Sequence, residues 1–255
     1  MKQLKSFGQH FLKDQNVLNK IDDVLRFSEE PVIEIGPGAG ALTSILLNKT
    51  QDITVIEADV RWCGFLAQKF KQKLTVLNMD ALQYEWKSVL PGTIIVGNLP
   101  YQIASELMIQ LAVQDCAFNY CVFMMQYEVA QRAMADPGSK NYGRLSVILQ
   151  TQFDFEECFD VPPDAFDPPP KVDSSVIKIL KKKVPLCSLD SLYTVEKITR
   201  LAFSQRRKKC RNVLSPMFSK EQLTLLGVDP DSRAEAISPS IYVGMAQYLL
   251  SNKKV

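Results

Sequence analysis

Short runs of β-branched residues recur along the first half of the chain, spaced about 20 residues apart, with segments of helical character between them. Such an alternation predicts a parallel sheet covered by helices. The predicted strands are residues 31–35, 53–57, 74–77, 93–96, 120–125, 145–150 and 174–180. The sequence therefore predicts an α/β domain with a seven-stranded, mostly parallel sheet of the Rossmann-like kind.

A proline-dense loop at residues 161–170 separates the last two predicted strands. A connection of this length suits a final strand that runs antiparallel. After residue 184 the pattern becomes helical only, with helices predicted at 189–203, through the basic segment that follows, and at 220–226 and 241–250. We therefore predict two domains, residues 1–184 and a small all-helical domain of residues 185–255.

The composition is that of an ordinary globular protein, with 46% apolar and 23% charged residues among 255. The longest apolar runs are too short to span a bilayer, so we expect a cytoplasmic protein without a membrane partner. The six cysteines form no CxxC pair and show no ligand spacing with His10, the single histidine. We therefore expect no metal site and no disulfide, and most catalytic triads are excluded.

Positive charge is concentrated in one part of the chain. Residues 197–220 contain eight basic residues and no acidic one, whereas the rest holds 22 basic against 28 acidic residues. Such a segment suits contact with the phosphates of a polyanion, although a solvated helix face would look the same.

The first predicted strand leads into a glycine-rich loop, Gly36-Pro37-Gly38-Ala39-Gly40-Ala41. Glycines at the carboxyl end of a parallel strand allow a ligand to approach the backbone closely. Glu34 precedes the loop, where it can hold the loop or reach a methionine group indirectly. Glu57 ends the second strand and can accept hydrogen bonds from ribose hydroxyls, and Asp80 ends the third and can accept one from an adenine amino group. This set favours S-adenosylmethionine, while the loop pattern alone would also permit a dinucleotide.

The fourth predicted strand ends in Asn98-Leu99-Pro100-Tyr101. The lone pair of an adenine N6 amine is delocalised into the ring, so the amine must be held in position before it can attack a methyl donor. The Asn98 side-chain carbonyl and a backbone carbonyl from Leu99 or Pro100 can accept the two N–H groups. Tyr101 can stack on the base, and Pro100 makes the turn rigid. The tetrapeptide indicates methyl transfer to an exocyclic amine of a nucleobase.

These motifs together resemble the small-subunit ribosomal RNA adenine dimethyltransferases, the bacterial kasugamycin-sensitivity enzymes, over nearly the whole chain. The resemblance is carried by the motifs at residues 7–12, 34–38, 98–101, 142–147, 166–174, 202–209 and 233–235. It implies a class I methyltransferase fold with S-adenosylmethionine as cofactor. The position of His10 is Asn in some relatives, so the resemblance implies contact with the cofactor rather than proton chemistry.

The resemblance also implies roles for individual residues. The cofactor pocket would be lined by His10, Leu12, Gly36, Gly38, Glu57, Asp80 and Asn98. Tyr101 and Phe166 would hold the flipped adenine between them, at the site formed by Asn98, Leu99 and Pro100. Phosphate contacts are expected from Arg206, Arg207, Lys208, Lys209 and Arg211.

The substrate implied by the resemblance is a pair of adjacent adenosines in a hairpin loop near the 3′ end of 16S rRNA, in an assembling small ribosomal subunit. We expect the protein to act as a monomer. Two alternatives stay open: an erythromycin-resistance methyltransferase acting on large-subunit rRNA, and an assembly or nucleic-acid-binding factor without catalysis.

Overall fold

The structure is a computed structural model that describes residues 10–252. The strands are β1 (Phe11–Leu12), β2 (Val32–Ile35), β3 (Ile53–Glu57), β4 (Thr75–Asn78), β5 (Ile94–Asn98), β6 (Tyr120–Gln126), β7 (Phe153–Val161), β8 (Phe166–Asp167) and β9 (Ser174–Lys181). The α-helices are α1 (Gln15–Val24), α2 (Ala41–Leu46), α3 (Val60–Phe70), α4 (Ala104–Val113), α5 (Tyr127–Met134), α6 (Arg144–Gln152), α7 (Leu189–Ala202), α8 (Cys210–Val213), α9 (Lys220–Leu225) and α10 (Pro239–Asn252).

Seven strands form one sheet in the order β4-β3-β2-β5-β6-β9-β7. The pairs from β4 to β6 are parallel, and β9 is antiparallel to β6, as the long proline-dense connection predicted. Strand order reverses between β2 and β5, and in open α/β sheets ligands bind beyond the carboxyl ends of the strands at such a point. The predicted fold class is confirmed.

One predicted strand is wrong. Residues 145–150 lie in helix α6, and the seventh strand is β7, which the sequence analysis missed. Nearly every side chain of α6 is buried, so its sequence shows no polar face from which a helical period could be read. Strand β7 does carry a signal, because its buried ends and its half-buried phenylalanines are separated by exposed acidic residues.

The chain divides into two compact units, residues 10–130 with 155–181, and residues 131–154 with 182–252. In the second unit α6, α7 and α10 pack together. Residues 131–154, which the sequence analysis placed in the first domain, thus belong with the C-terminal helices. The chain passes from the first unit to the second for the last time after residue 181, and this point lies close to the domain boundary predicted at residue 184.

Three of the four helical segments predicted after residue 184 correspond to α7, α9 and α10. The basic segment is not one continuous helix, because residues 206–208 form turns between a 3-10 helix, Phe203–Gln205, and the short α8. None of the helices between residues 10 and 252 is long and apolar enough to cross a membrane.

Candidate active site

A cavity of about 330 Å³ lies at the carboxyl ends of β2, β3, β4 and β5, within the first unit. This volume is within the range of small-molecule sites. Ten residues predicted from the sequence line it: His10, Leu12, Gly36, Gly38, Glu57, Asp80, Asn98, Leu99, Pro100 and Tyr101. Within the described part of the chain, no group of three or more His, Cys, Asp or Glu residues could hold a metal ion.

The glycine loop forms one wall of the cavity. Gly36 and Gly38 have φ angles of 64° and 52°, a left-handed conformation that favours glycine. A Cβ atom on Gly38 would also collide with the ring of Phe11, which packs edge-on against Trp62. The loop therefore keeps the bare backbone that close approach of a ligand requires.

Glu57 supports this loop from the end of β3. Its side chain is buried, and its two oxygens accept hydrogen bonds from the backbone N–H of Gly38 at 3.1 Å and of Asp59 at 2.9 Å. Burial raises the pKa of Glu57, while these two N–H groups favour its charged form. Each carboxylate oxygen has a further lone pair, so the group can still accept a hydrogen bond from a ligand.

Asp80 follows β4 and begins a short 3-10 helix, Ala81–Gln83. One of its oxygens accepts a hydrogen bond from the backbone N–H of Leu82 at 2.9 Å. This bond fixes the carboxylate at the cavity wall, and its second oxygen suits an amino group of a ligand.

The orientation of the Asn98 side chain follows from its partner. Its amide nitrogen donates to the backbone carbonyl of His10 at 3.0 Å. A carbonyl can only accept, so the NH₂ group must face His10, and the side-chain oxygen Oδ1 is left as the acceptor for a ligand. Asn98 ends β5 and lines the cavity.

His10 is held in turn by the loop after β8. Its ring Nδ1 lies 2.7 Å from the carbonyl of Pro168, so Nδ1 carries the hydrogen. The motif residues that precede it, Phe7, Gly8 and Gln9, lie outside the described residues.

Tyr101 lies with its ring stacked on that of His10, the centroids 5.8 Å apart and the planes 25° from parallel. Its hydroxyl lies 3.2 Å from the hydroxyl of Ser174. Burial raises the pKa of the Tyr101 hydroxyl, so it stays neutral and can hydrogen-bond as a phenol. These contacts hold the ring at the cavity wall.

Phe166 does not lie where the sequence analysis expected it. Its side chain is 1% exposed and packs in the hydrophobic core with residues of α1 and the sheet, and strand β8 pairs with β1. Burial of the apolar Phe166 ring next to Leu12 is more favourable in free energy than its exposure to an open cavity. A base could reach this ring only after Phe166 or the β1–β8 pair moves.

Two residues that shape the site were not assigned a role from sequence. The Thr43 hydroxyl donates to Glu34 Oε2 at 2.6 Å, and Ser174 anchors Tyr101. Thr43 follows the predicted glycine loop in α2, and Ser174 stands in the motif at residues 166–174. Their contacts join residues 9 and 73 positions apart, which no local pattern could reveal.

The predicted phosphate-binding residues lie in the second unit, and their side chains differ in availability. The Arg206 guanidinium donates to the carbonyls of Lys140 at 3.1 Å and Tyr142 at 2.7 Å. Lys209 and Arg211 both contact Asp231, at 2.7 and 2.6 Å. All five residues are exposed, and Arg207 and Lys208 are the two whose side chains make no hydrogen bond or ion pair with the described residues.

Comparison with known proteins agrees with the family resemblance that the sequence motifs indicated. The sequence profile described as "Ribosomal RNA adenine dimethylase" matches residues 1–250. The protein named ribosomal RNA small subunit methyltransferase A of Dechloromonas aromatica (strain RCB) is 40% identical over 247 residues, which cover 96% of this chain and 97% of that protein.

Two solved structures are similar over nearly the whole fold. A dimethyladenosine transferase from Plasmodium falciparum has a TM-score of 0.75 at 25% identity, covering 96% of this chain and 98% of the other. The 23S rRNA methyltransferase ErmE has a TM-score of 0.71 at 24% identity, covering 94% and 99%. The second likeness concerns the fold alone.

Proposed function

Because the chain belongs to the ribosomal RNA adenine dimethylase family, we propose that it methylates two adjacent adenosines in a hairpin loop near the 3′ end of small-subunit (16S) rRNA. Each adenosine receives two methyl groups on N6. The acceptor is an assembling small ribosomal subunit in the cytoplasm, and the enzyme acts as a monomer.

S-adenosylmethionine is the methyl donor. When bound, it supplies an electrophilic methyl group on a sulfonium. The cavity suits this molecule, because the glycine loop presents bare backbone at the carboxyl end of β2, and carboxylates end β3 and follow β4. In our proposal Glu57 binds the ribose hydroxyls, Asp80 the adenine amino group, and His10 and Leu12 complete the wall.

The observation that carries the proposal is the fixed orientation of Asn98. Because its NH₂ group donates to His10, Oδ1 is left as the acceptor for one N–H of the target amine. The Pro100 carbonyl already accepts from the Ile103 N–H at 3.1 Å, so the Leu99 carbonyl is the better second acceptor. Two acceptors would hold the amine out of conjugation, with its lone pair available for direct in-line transfer.

Tyr101 would supply the stacking surface for the flipped adenine. Flipping costs a few kcal/mol, less for an unpaired loop base, and stacking on an aromatic ring returns about 1–3 kcal/mol. The ring of His10 now covers part of Tyr101, so the base must displace it or use the free part of the face. A role for Phe166 on the opposite side requires the movement described above.

Binding to the ribosomal subunit is assigned to the basic residues of the second unit. Arg207 and Lys208 are the best placed for phosphate contact, because Arg206 binds backbone carbonyls and Lys209 and Arg211 share Asp231. Such contacts contribute affinity that depends on salt and little on sequence.

The test is transfer of tritium from labelled S-adenosylmethionine to small subunits isolated from cells that lack this methylation. We expect incorporation into 16S rRNA, located by primer extension, and none into large-subunit rRNA. Incorporation into large-subunit rRNA instead would identify an erythromycin-resistance type of enzyme. Binding to the small subunit without incorporation would identify an assembly factor.

A further inference from the structure

Two buried carboxyl groups lie on adjacent strands of the cavity wall. Glu34 on β2 is 2% exposed and Glu57 on β3 is 7% exposed, and both line the cavity. Among the described residues that line it there is no lysine or arginine, and His10 is the one basic side chain. The cavity thus concentrates potential negative charge without a fixed cation on its wall.

The two carboxyl groups differ in their hydrogen bonds. Glu57 accepts two backbone N–H groups, which can only donate and therefore favour its charged form. Glu34 accepts the Thr43 hydroxyl on one oxygen, and the backbone N–H of Thr43 also favours its charged form. Burial raises the pKa of Glu34 to about 8, the charge of Glu57 adds to this effect, and Thr43 and Lys69 oppose it. Of these two carboxyl groups, Glu34 therefore has the stronger tendency to keep a proton at neutral pH.

We propose that Glu34 loses its proton to solvent when the cavity receives S-adenosylmethionine, and that the resulting carboxylate favours this methyl donor over its demethylated product. At neutral pH the donor carries an ammonium, a carboxylate and a sulfonium, a net charge of +1, whereas the product lacks the sulfonium charge. A positive charge in a poorly solvated cavity stabilises a nearby carboxylate strongly. The product carries the same ammonium and carboxylate but no sulfonium, so it lacks this part of the stabilisation.

Other titratable groups surround Glu34, and their contributions to proton release must be distinguished from that of Glu34. Glu57 faces it from β3, with Asp59 beyond, and Lys69 of α3 contributes a positive charge. His10, Asp80 and Tyr101 line the same cavity. Donor and product carry the same amino and carboxyl groups, so the difference in proton release between them isolates the effect of the sulfonium.

Ionisation of Glu34 on binding makes the affinity for the donor depend on pH in one direction. A cation that favours the ionised form of Glu34 binds more tightly as the pH rises, by up to about tenfold per pH unit, until Glu34 is ionised in the free protein as well. Affinity for the donor should therefore rise up to about pH 8 and then level off. Affinity for the product should change much less over this range.

The experiment is calorimetric titration of the protein with donor or product at pH 7, in phosphate and in Tris buffer. These buffers differ in ionisation enthalpy, so the difference in measured heat gives the number of protons released. For the wild type we expect the donor to release nearly one proton more than the product. Glu34→Gln should abolish this difference, and the exposed Glu106→Gln should retain it.

Equal proton release by donor and product in the wild type would overturn the inference, and so would a difference that persists in Glu34→Gln. The wild-type measurement stands even if Glu34→Gln does not fold. The inference rests on S-adenosylmethionine binding to the proposed site but needs no RNA. Normal proton release in a protein that does not methylate small subunits would therefore contradict the proposed function and leave this inference in place.

Discussion

At the scale of single residues, Asn98 has the most demanding role. Asn98→Ala removes the acceptor proposed for the target amine and leaves the cofactor wall from β2, β3 and β4 in place. We expect turnover to fall by at least about 100-fold, since loss of one positioned hydrogen-bonding group in an active site commonly has this effect. Binding of S-adenosylmethionine, measured by calorimetry, should remain detectable.

The exposed Asn119→Ala is the matched control and should behave as wild type. Equal loss of cofactor binding and turnover in Asn98→Ala would mean that Asn98 serves the cofactor rather than the amine.

Two substitutions of Tyr101 distinguish the contribution of stacking from that of hydrogen bonding. Tyr101→Ala removes the ring, and we expect kcat/KM on small subunits to fall about 5- to 150-fold, the equivalent of 1–3 kcal/mol of stacking. Tyr101→Phe keeps the ring and loses only the contact with Ser174. Its activity should stay much closer to that of the wild type, and similar losses in both variants would argue against stacking.

Glu34 should also shape the pH dependence of stability. Its pKa lies near 4.5 in the unfolded chain and at about 8 in the folded protein, so the unfolded state binds fewer protons between these values. The stabilisation from neutral Glu34 is complete below pH 4.5 and is lost as the pH rises to about 8.

We therefore expect the Tm of the cofactor-free wild type to fall, relative to that of Glu34→Gln, between pH 5 and pH 8. Each kcal/mol lost should lower Tm by roughly 2–4 °C. Melting curves followed by circular dichroism measure this difference, and parallel curves for the two proteins would mean that Glu34 is already ionised in the fold.

At the scale of elements, the sequence predicted the strands correctly where nearly all of their side chains are buried. Strands β2, β3, β5 and β6 are buried almost throughout and appear as apolar runs, with bounds within about two residues of those predicted. Helix α6 is buried on nearly all sides too, and a buried helix and a buried strand look alike over six residues.

In the basic segment, the local backbone conformation decides which basic side chains contact the protein itself and which are left for a ligand. As a turn leading into α8, it directs Arg206 to the carbonyls of Lys140 and Tyr142, while the side chains of Arg207 and Lys208 make no such contact with the described residues. We expect Arg207→Glu with Lys208→Glu to weaken binding to small subunits and flatten its salt dependence, without a change in Tm.

A matched control reverses two exposed lysines of the first unit, Lys73→Glu with Lys87→Glu, and should leave affinity nearly unchanged. Arg206→Glu should lower Tm in addition, because it breaks two hydrogen bonds to backbone carbonyls. Equal affinity of the Arg207 and Lys208 double variant and the wild type would mean that these residues form a solvated surface only.

At the scale of the whole molecule, the parallel topology explains why the site could be predicted in outline. Each of four successive strands leads into one predicted feature, and adjacent parallel strands bring their carboxyl ends to one edge. What sequence could not give are the contacts between distant segments. The bond of His10 to Pro168, the bond of Asn98 to His10 and the burial of Phe166 depend on how β1 and β8 pack.

The central claim is that this site dimethylates N6 of adjacent adenosines in small-subunit rRNA. It is tested most directly by incubating undermethylated small and large subunits with the enzyme and S-adenosylmethionine, then analysing nuclease fragments of each rRNA by mass spectrometry. We predict a fragment near the 3′ end of 16S rRNA that gains four methyl groups, two on each of two neighbouring adenosines, and no such product with Asn98→Ala. Methylation confined to large-subunit rRNA, or the absence of N6,N6-dimethyladenosine from both rRNAs, would contradict the account.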